Sequence, residues 1–279
     1  MVKTMITWDP ESNCLTSWQV PGWPRPLRFS GWGCEVGNWF GFFSQAFSSG
    51  NACQIESHQL GPADGIRLGS HWVVKLPKAK LSLQTLDELL APNVMIRTLT
   101  VANPSPNIAW IGDAVLRMVV PWEEGLVAEL EQQEIAHQGS DFYYDTEDAA
   151  VSLRWPDGRR LLVQWLERPE APPAMTPYLY VRDQPVFPKH NHPLWANPGW
   201  VVHARLLVDY PAALVFRVWR NPFVLWSRGF LGRYLFSPQR LKNLWRAGEW
   251  KAHKRWSLFG LWPFLPNQTV SFSVKVSAF

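Results

Sequence analysis

The stretch Val151-Ser-Leu-Arg-Trp155-Pro-Asp-Gly158-Arg-Arg-Leu161-Leu-Val163-Gln-Trp165 decides the fold class. Val151, Leu153 and Trp155 recur at every second position, as do Leu161, Val163 and Trp165, which is the period of a strand with one buried face. Between the two runs, Pro156-Asp-Gly158 supplies a glycine that accepts a positive φ, so the chain is expected to fold back here as a hairpin. Each strand then carries a tryptophan on its repeating face.

The same period recurs on both sides. In residues 269–279, Val270, Phe272, Val274 and Val276 alternate with Ser271, Ser273, Lys275 and Ser277, a strand with one buried and one wet face. Residues 94–101 form another run, closed by Asn103-Pro-Ser-Pro-Asn107, and 114–120 is its expected partner. A third pair is expected from 200–208 through Tyr210-Pro211 into 213–219. Helices are expected to be few and short. Ser82 is placed to cap 83–90, which Pro92 stops, and Ser237-Pro238 opens a second over 238–247 with Leu241, Leu244 and Trp245 on one face. Residues 123–137 fit either a helix or a strand. Strands at short spacing and twenty-four prolines give a mainly β chain, an antiparallel β-sandwich or barrel-like fold with a few short helices. One β-rich domain over 1–279, softly divided near 169–198 by prolines, accounts for the length.

Residues 29–55 raise the question of a membrane. Their only charge is Glu35, and Gly33, Gly37 and Gly41 have the four-residue spacing of close-packed membrane helices. Asn38, Gln45 and Asn51 dilute the run below what about 20 apolar residues provide, so a buried, glycine-rich β or loop region is the better reading. No secretory signal is visible at Met1, and Cys14, Cys34 and Cys53 are an odd number without C-x-x-C spacing. Reduced thiols and a cytoplasmic setting are expected.

Composition points to flat partners. Eighteen Trp, fifteen Phe and six Tyr fall in 279 residues, and an indole joins a large apolar face to an N–H that wants an acceptor. Charge is uneven. Residues 217–279 hold eleven Lys and Arg against one acid, Glu249, whereas 1–216 hold sixteen basic and twenty-two acidic residues. Residues 118–153 carry nine acids and neither Lys nor Arg. Such asymmetry concerns partners rather than fold.

Candidate sites follow from these groups. Asp141-Phe-Tyr143-Tyr144-Asp145 places carboxylates beside aromatic faces, without the ligand order or glycine of a calcium loop. His190 and His192 alternate beside Trp195 and ahead of Trp200 and His203; two ligands by spacing fall short of the three or four a zinc site needs, so no metal is expected. Together Asp141, Tyr143, Tyr144, Asp145, His190, His192, Trp195 and Trp200 are the expected contacts of a sugar or other flat ligand. At the basic end, Arg246, Lys251, Lys254 and Arg255 interleave with Trp245, Trp250 and Trp256 as an anion-binding set. Asp113 and Arg117, beside Trp110, suit a buried ion pair or a pocket wall.

Conventional enzyme signatures are missing: no G-x-S-x-G, phosphate loop, G-x-G-x-x-G or H-E-x-x-H occurs. No catalytic residue and no cofactor follow from the sequence. Three functions remain. The first is a ligand-binding or carbohydrate-active β-sandwich with exposed Trp and Tyr platforms. The second is a structural or assembly protein, a homo-oligomer joining acidic and basic surfaces. The third is single-stranded nucleic-acid or anionic-membrane binding through the basic end.

Overall fold

A computed structural model describes residues 5–38, 41–47, 53–76, 79–111, 113–130, 133–139, 143–146, 150–166, 175–185, 198–208 and 262–279. In chain order the first strands are β1 (Ile6–Asp9), β2 (Cys14–Trp18), β3 (Leu27–Arg28), β4 (Gly31–Asn38), β5 (Gly41–Ser44), β6 (Gln54–Ala63), β7 (Arg67–Leu76), β8 (Ala79–Ala91), β9 (Val94–Ala102) and β10 (Ala109–Ile111). There follow β11 (Asp113–Pro121), β12 (Val127–Leu130), β13 (Gln133–Ala136), β14 (Tyr143–Thr146), β15 (Ala150–Arg154), β16 (Arg160–Trp165), β17 (Met175–Gln184), β18 (Gly199–Val208), β19 (Trp262–Phe264) and β20 (Thr269–Ala278). The only helical piece among the described residues is a single 3-10 turn, Gln45–Phe47.

Two large sheets dominate, one of six strands in the order β14-β17-β18-β11-β4-β5 and one of nine in the order β13-β12-β15-β16-β20-β9-β8-β7-β6. Strands β1-β2-β3 and the pair β10-β19 form two small sheets. All pairings are antiparallel, and neither large sheet closes on itself, so the fold is sandwich-like and not a barrel. The β15–β16 hairpin forms as its pattern demands, with Gly158 at φ +89°. β20 lies in the middle of the nine-stranded sheet between β16 and β9, its Val270, Phe272, Val274 and Val276 all buried.

One apolar core lies between the sheets, and tryptophan supplies much of it. Trp18, Trp23, Trp32, Trp72, Trp155, Trp165 and Trp200 are buried, and most of their N–H groups find acceptors. Trp18 donates to Pro92 O at 3.1 Å, Trp23 to Phe279 O at 3.1 Å and Trp72 to Ser70 Oγ at 3.0 Å. Across the core runs a polar bridge. Arg97, from β9, donates Nε to Asp87 Oδ1 at 2.9 Å and Nη1 to Arg117 O at 3.0 Å, so the nine-stranded sheet is hydrogen-bonded to the six-stranded one. The guanidinium lies 3.5 Å over the Trp32 ring, whose N–H reaches the other Asp87 oxygen at 2.6 Å.

The structure corrects two local expectations. Residues 83–90 belong to β8, not to a helix: Ala79, Leu81, Leu83, Thr85 and Asp87 point inward in strict alternation, while Leu86 and Leu90 are exposed. Strand β9 does not pair with β11. It pairs with β8 and β20, and residues 103–107 carry the chain from the nine-stranded sheet towards β10 and the six-stranded one. Buried Asn103 holds that crossing, donating to Asn107 O and Phe264 O at 2.8 Å each. The buried ion pair that Arg117 makes is with Glu35 of β4. Within 123–137 the described residues form β12 and β13, and the glycine-rich 29–55 stretch contributes β4 and β5. The helix expected at 238–247 and the strand at 213–219 lie outside the described residues. No described helix is long and apolar enough to cross a membrane.

Candidate functional site

Alternation along the six-stranded sheet gives it two unlike faces. Cys34, Leu116, Met118, Leu179, Val181, Val202 and Ala204 belong to the core. The residues between them do not. On the second face stand Glu35 of β4, Arg117 of β11, Tyr178, Tyr180 and Arg182 of β17, and His203 and Arg205 of β18. Backbone register sets Arg117 opposite His203 and His203 opposite Tyr180, one row across three adjacent strands.

These side chains are tied together. Arg117 Nη1 donates to Glu35 Oε1 at 2.9 Å and Nη2 to Gln184 Oε1 at 3.4 Å, while Ser44 Oγ donates to Glu35 Oε1 at 3.3 Å. Arg205 Nη1 donates to the Tyr180 hydroxyl at 2.6 Å. The His203 ring stands edge-on to Tyr180, with centroids 4.8 Å apart. Yet neither ring nitrogen of His203 has a hydrogen-bond partner, although the residue is buried. Burial pushes its pKa well below 6.5, and the charges of Arg117, Arg205 and Arg182 push the same way. The imidazole is therefore neutral at physiological pH, with one N–H to give and one lone pair to receive a proton.

A buried polar group without a partner costs about 1–3 kcal/mol. His203 bears that cost twice over, in the middle of a row rich in donors. The neutral imidazole both donates and accepts, and neither capacity is used.

Of the residues expected from sequence, Tyr143 and Asp145 lie on β14, at the edge of this sheet, in register with Arg182 and Tyr180. Tyr144 is half-buried, its ring 6.5 Å from that of Trp200. Trp200 is not a platform for a flat ligand: it is fully buried in the core and gives its indole N–H to Leu126 O at 3.3 Å. Asp141, His190, His192 and Trp195 lie outside the described residues, as do Arg246, Lys251, Lys254 and Arg255. Among the described residues, no group of three or more His, Cys, Asp or Glu is placed to hold a metal.

Sequence reasoning took His203 only as a third partner for His190 and His192, and it missed Glu35, Tyr178, Tyr180, Arg182 and Arg205. The signal was present. Tyr178-x-Tyr180-x-Arg182 and His203-x-Arg205 put polar groups at every second position of otherwise apolar strands. Of the indoles described, only Trp110 and Trp122 are exposed, at 47% and 44%. Trp122 lies against His137, with centroids 5.8 Å apart, and His137 Nδ1 touches the carboxylate of buried Asp183. The acidic 118–153 stretch finds cations close by: Arg154 and Arg160 pair with Glu129, and Arg154 also with Glu134. Hydrogen bonds from Arg154 and Ser152 hold the Glu129 carboxyl below its ordinary 4.5 against the upward pull of burial.

No protein-family profile and no curated protein matches this chain. Among solved structures, one similar backbone belongs to a protein of Escherichia coli K12 provisionally described as an aldose 1-epimerase, with 9% identity, 93% of this chain and 80% of that one covered, and a TM-score of 0.46. Another is the Slr1438 protein of Synechocystis sp. PCC 6803, with 11% identity, 98% and 91% coverage, and a TM-score of 0.47. At that level of overlap nothing is transferred from either protein to this chain.

Proposed function

We propose that this chain is a carbohydrate-type ligand-binding protein whose site is the second face of the six-stranded sheet, centred on His203. The observation that carries the proposal is the neutral, buried imidazole with two unmatched nitrogens in a row with Arg117 and Tyr180. A ring hydroxyl of a sugar is donor and acceptor at once, so it completes both valences of His203. Glu35 fixes Arg117 beside it. Tyr143 and Asp145, in register at the sheet edge, extend the same site in this reading.

Isothermal titration against monosaccharides, oligosaccharides and sugar acids tests it, with the full chain and with His203→Leu. At least one panel member is expected to bind with a Kd in the millimolar range or tighter, about −4 kcal/mol or better. His203→Leu is expected to weaken that binding about tenfold or more while the circular dichroism spectrum stays unchanged. Absence of heat from the whole panel, or equal affinity for the variant, overturns the proposal.

A further inference from the structure

A pocket lies away from the His203 face, where three sheets meet. It is an open pocket of about 840 Å³, lined by Pro24, Arg25, Pro26 and Arg28 on one side, and by Pro121, Glu123, Asp157 and Arg159 on the others. Arg28 belongs to β3 of the small sheet, Pro121 ends β11 of the six-stranded sheet, and Asp157 and Arg159 sit in the β15–β16 turn of the nine-stranded one. The walls are stiff. Prolines fix one side, and the turn is closed by Trp155 N–H to Arg159 O at 2.9 Å and Gly158 N–H to Trp155 O at 3.1 Å.

Its charges are sorted. Asp157 takes Arg159 Nε at 2.9 and 2.7 Å, and Glu123 lies 3.6 Å from Arg159 Nη2, so both acids are turned to one guanidinium. That guanidinium is fixed from beneath, 5.0 Å from the Trp23 ring and 5.2 Å from the Trp155 ring, which themselves pack edge to face at 5.1 Å. Arg25 and Arg28 are exposed and have no ion pair among the described residues. Two guanidinium groups without a direct ion pair therefore share a preformed pocket with three proline rings, and the lining, three arginines against two acids, is net positive.

We infer that this pocket binds a small organic phosphate monoester, its dianion held by Arg25 and Arg28 and its organic body laid against Pro24, Pro26 and Pro121. Two guanidinium groups match a doubly charged phosphate, which each can grip in bidentate fashion. The volume lies within the range of about 300–1,000 Å³ for small-molecule pockets and far exceeds a bare phosphate ion, so an organic body is needed to fill it. Arg159, already neutralised by Glu123 and Asp157, acts as a rigid wall rather than as an anion ligand.

Phenyl phosphate is the probe, titrated by calorimetry into the full chain at pH 7.5 and low salt, with inorganic phosphate and phenol alongside. Saturable binding of phenyl phosphate is expected, with neither control binding within tenfold of it. Arg25→Gln combined with Arg28→Gln is expected to weaken it about tenfold or more. Both side chains are exposed, so the variant should fold, and its circular dichroism spectrum checks that. Binding should weaken as pH falls through the second phosphate pKa near 6 and as salt screens the exposed charges. His203→Leu is expected to leave phenyl phosphate affinity unchanged, which separates this pocket from the sheet-face site. No saturable binding, inorganic phosphate binding as tightly as the ester, or undiminished affinity in the folded double variant overturns the inference.

Discussion

Arg97 and Arg117 each hold a carboxylate at 2.9 Å, and both are almost wholly buried, yet their surroundings differ in what is left over. Around Arg97 the polar groups close on themselves: Asp87 receives the guanidinium on one oxygen and the Trp32 N–H on the other, and Arg97 spends its remaining donors on the Arg117 and Gly33 carbonyls. Beside Arg117 one group is left over: His203 stands next to it in register with both ring nitrogens unmatched. A closed buried network ties two sheets together and offers nothing to a ligand. An unmatched imidazole sacrifices stability, and in the reading proposed above its valence serves a ligand.

The largest expected effect breaks the closed side. Asp87→Ala strands the Arg97 guanidinium in the core, and removal of one partner of such a pair costs about 3–5 kcal/mol. Urea unfolding should show the midpoint falling accordingly; a loss below about 1 kcal/mol would mean that the bridge between sheets is not what holds them in place. Trp32→Phe is the finer cut. It leaves a ring under Arg97 but removes the N–H to Asp87, with an expected loss of about 1–3 kcal/mol for the unmatched oxygen. If Trp32→Phe proves as costly as Asp87→Ala, ring packing rather than hydrogen bonding governs that corner.

The open side shows itself in pH dependence. His203 has a folded-state pKa well below its ordinary 6.5, so below 6.5 the unfolded chain binds a proton that the folded chain refuses. Its contribution is constant above that value and is lost as pH falls towards the folded pKa, by about 1.4 kcal/mol per pH unit. His203→Leu should flatten this part of the stability profile just below pH 6.5. An unchanged slope in the variant would assign the acid sensitivity to other groups. At neutral pH the sign is the test: replacing an imidazole whose two buried nitrogens lack partners by an apolar side chain should raise stability, by about 1 kcal/mol or more. A loss of stability would show that His203 has a structural bond after all.

The contrast also explains what could be read from sequence. Strands with a wholly apolar inner face, such as 151–165 and 269–278, announced themselves by period alone. β8 did not, because its inward positions include Thr85 and Asp87, which serve Ser70 and Arg97. With those two polar, the leucines at 83, 86 and 89 mimicked a helical spacing. Pairing was less legible than strand identity: the short link between β9 and β11 suggested a hairpin, and only the fold shows that it crosses between sheets. Most of the tryptophans described pack the core, so their abundance says less about ligands than their chemistry suggested. The His203 row was hidden for a different reason. It is assembled from β11, β17 and β18, whose neighbourhood no local spacing encodes.

Histidine side-chain NMR on the full chain tests the central claim most directly, with His203→Leu used to assign the resonance. At neutral pH the His203 ring should give the two unequal nitrogen signals of a neutral imidazole, and both should move when the panel sugar of highest affinity is added to saturation. An imidazolium at pH 7, or ring signals that stay fixed in the presence of every panel member, would contradict the assignment of this sheet face as a ligand site.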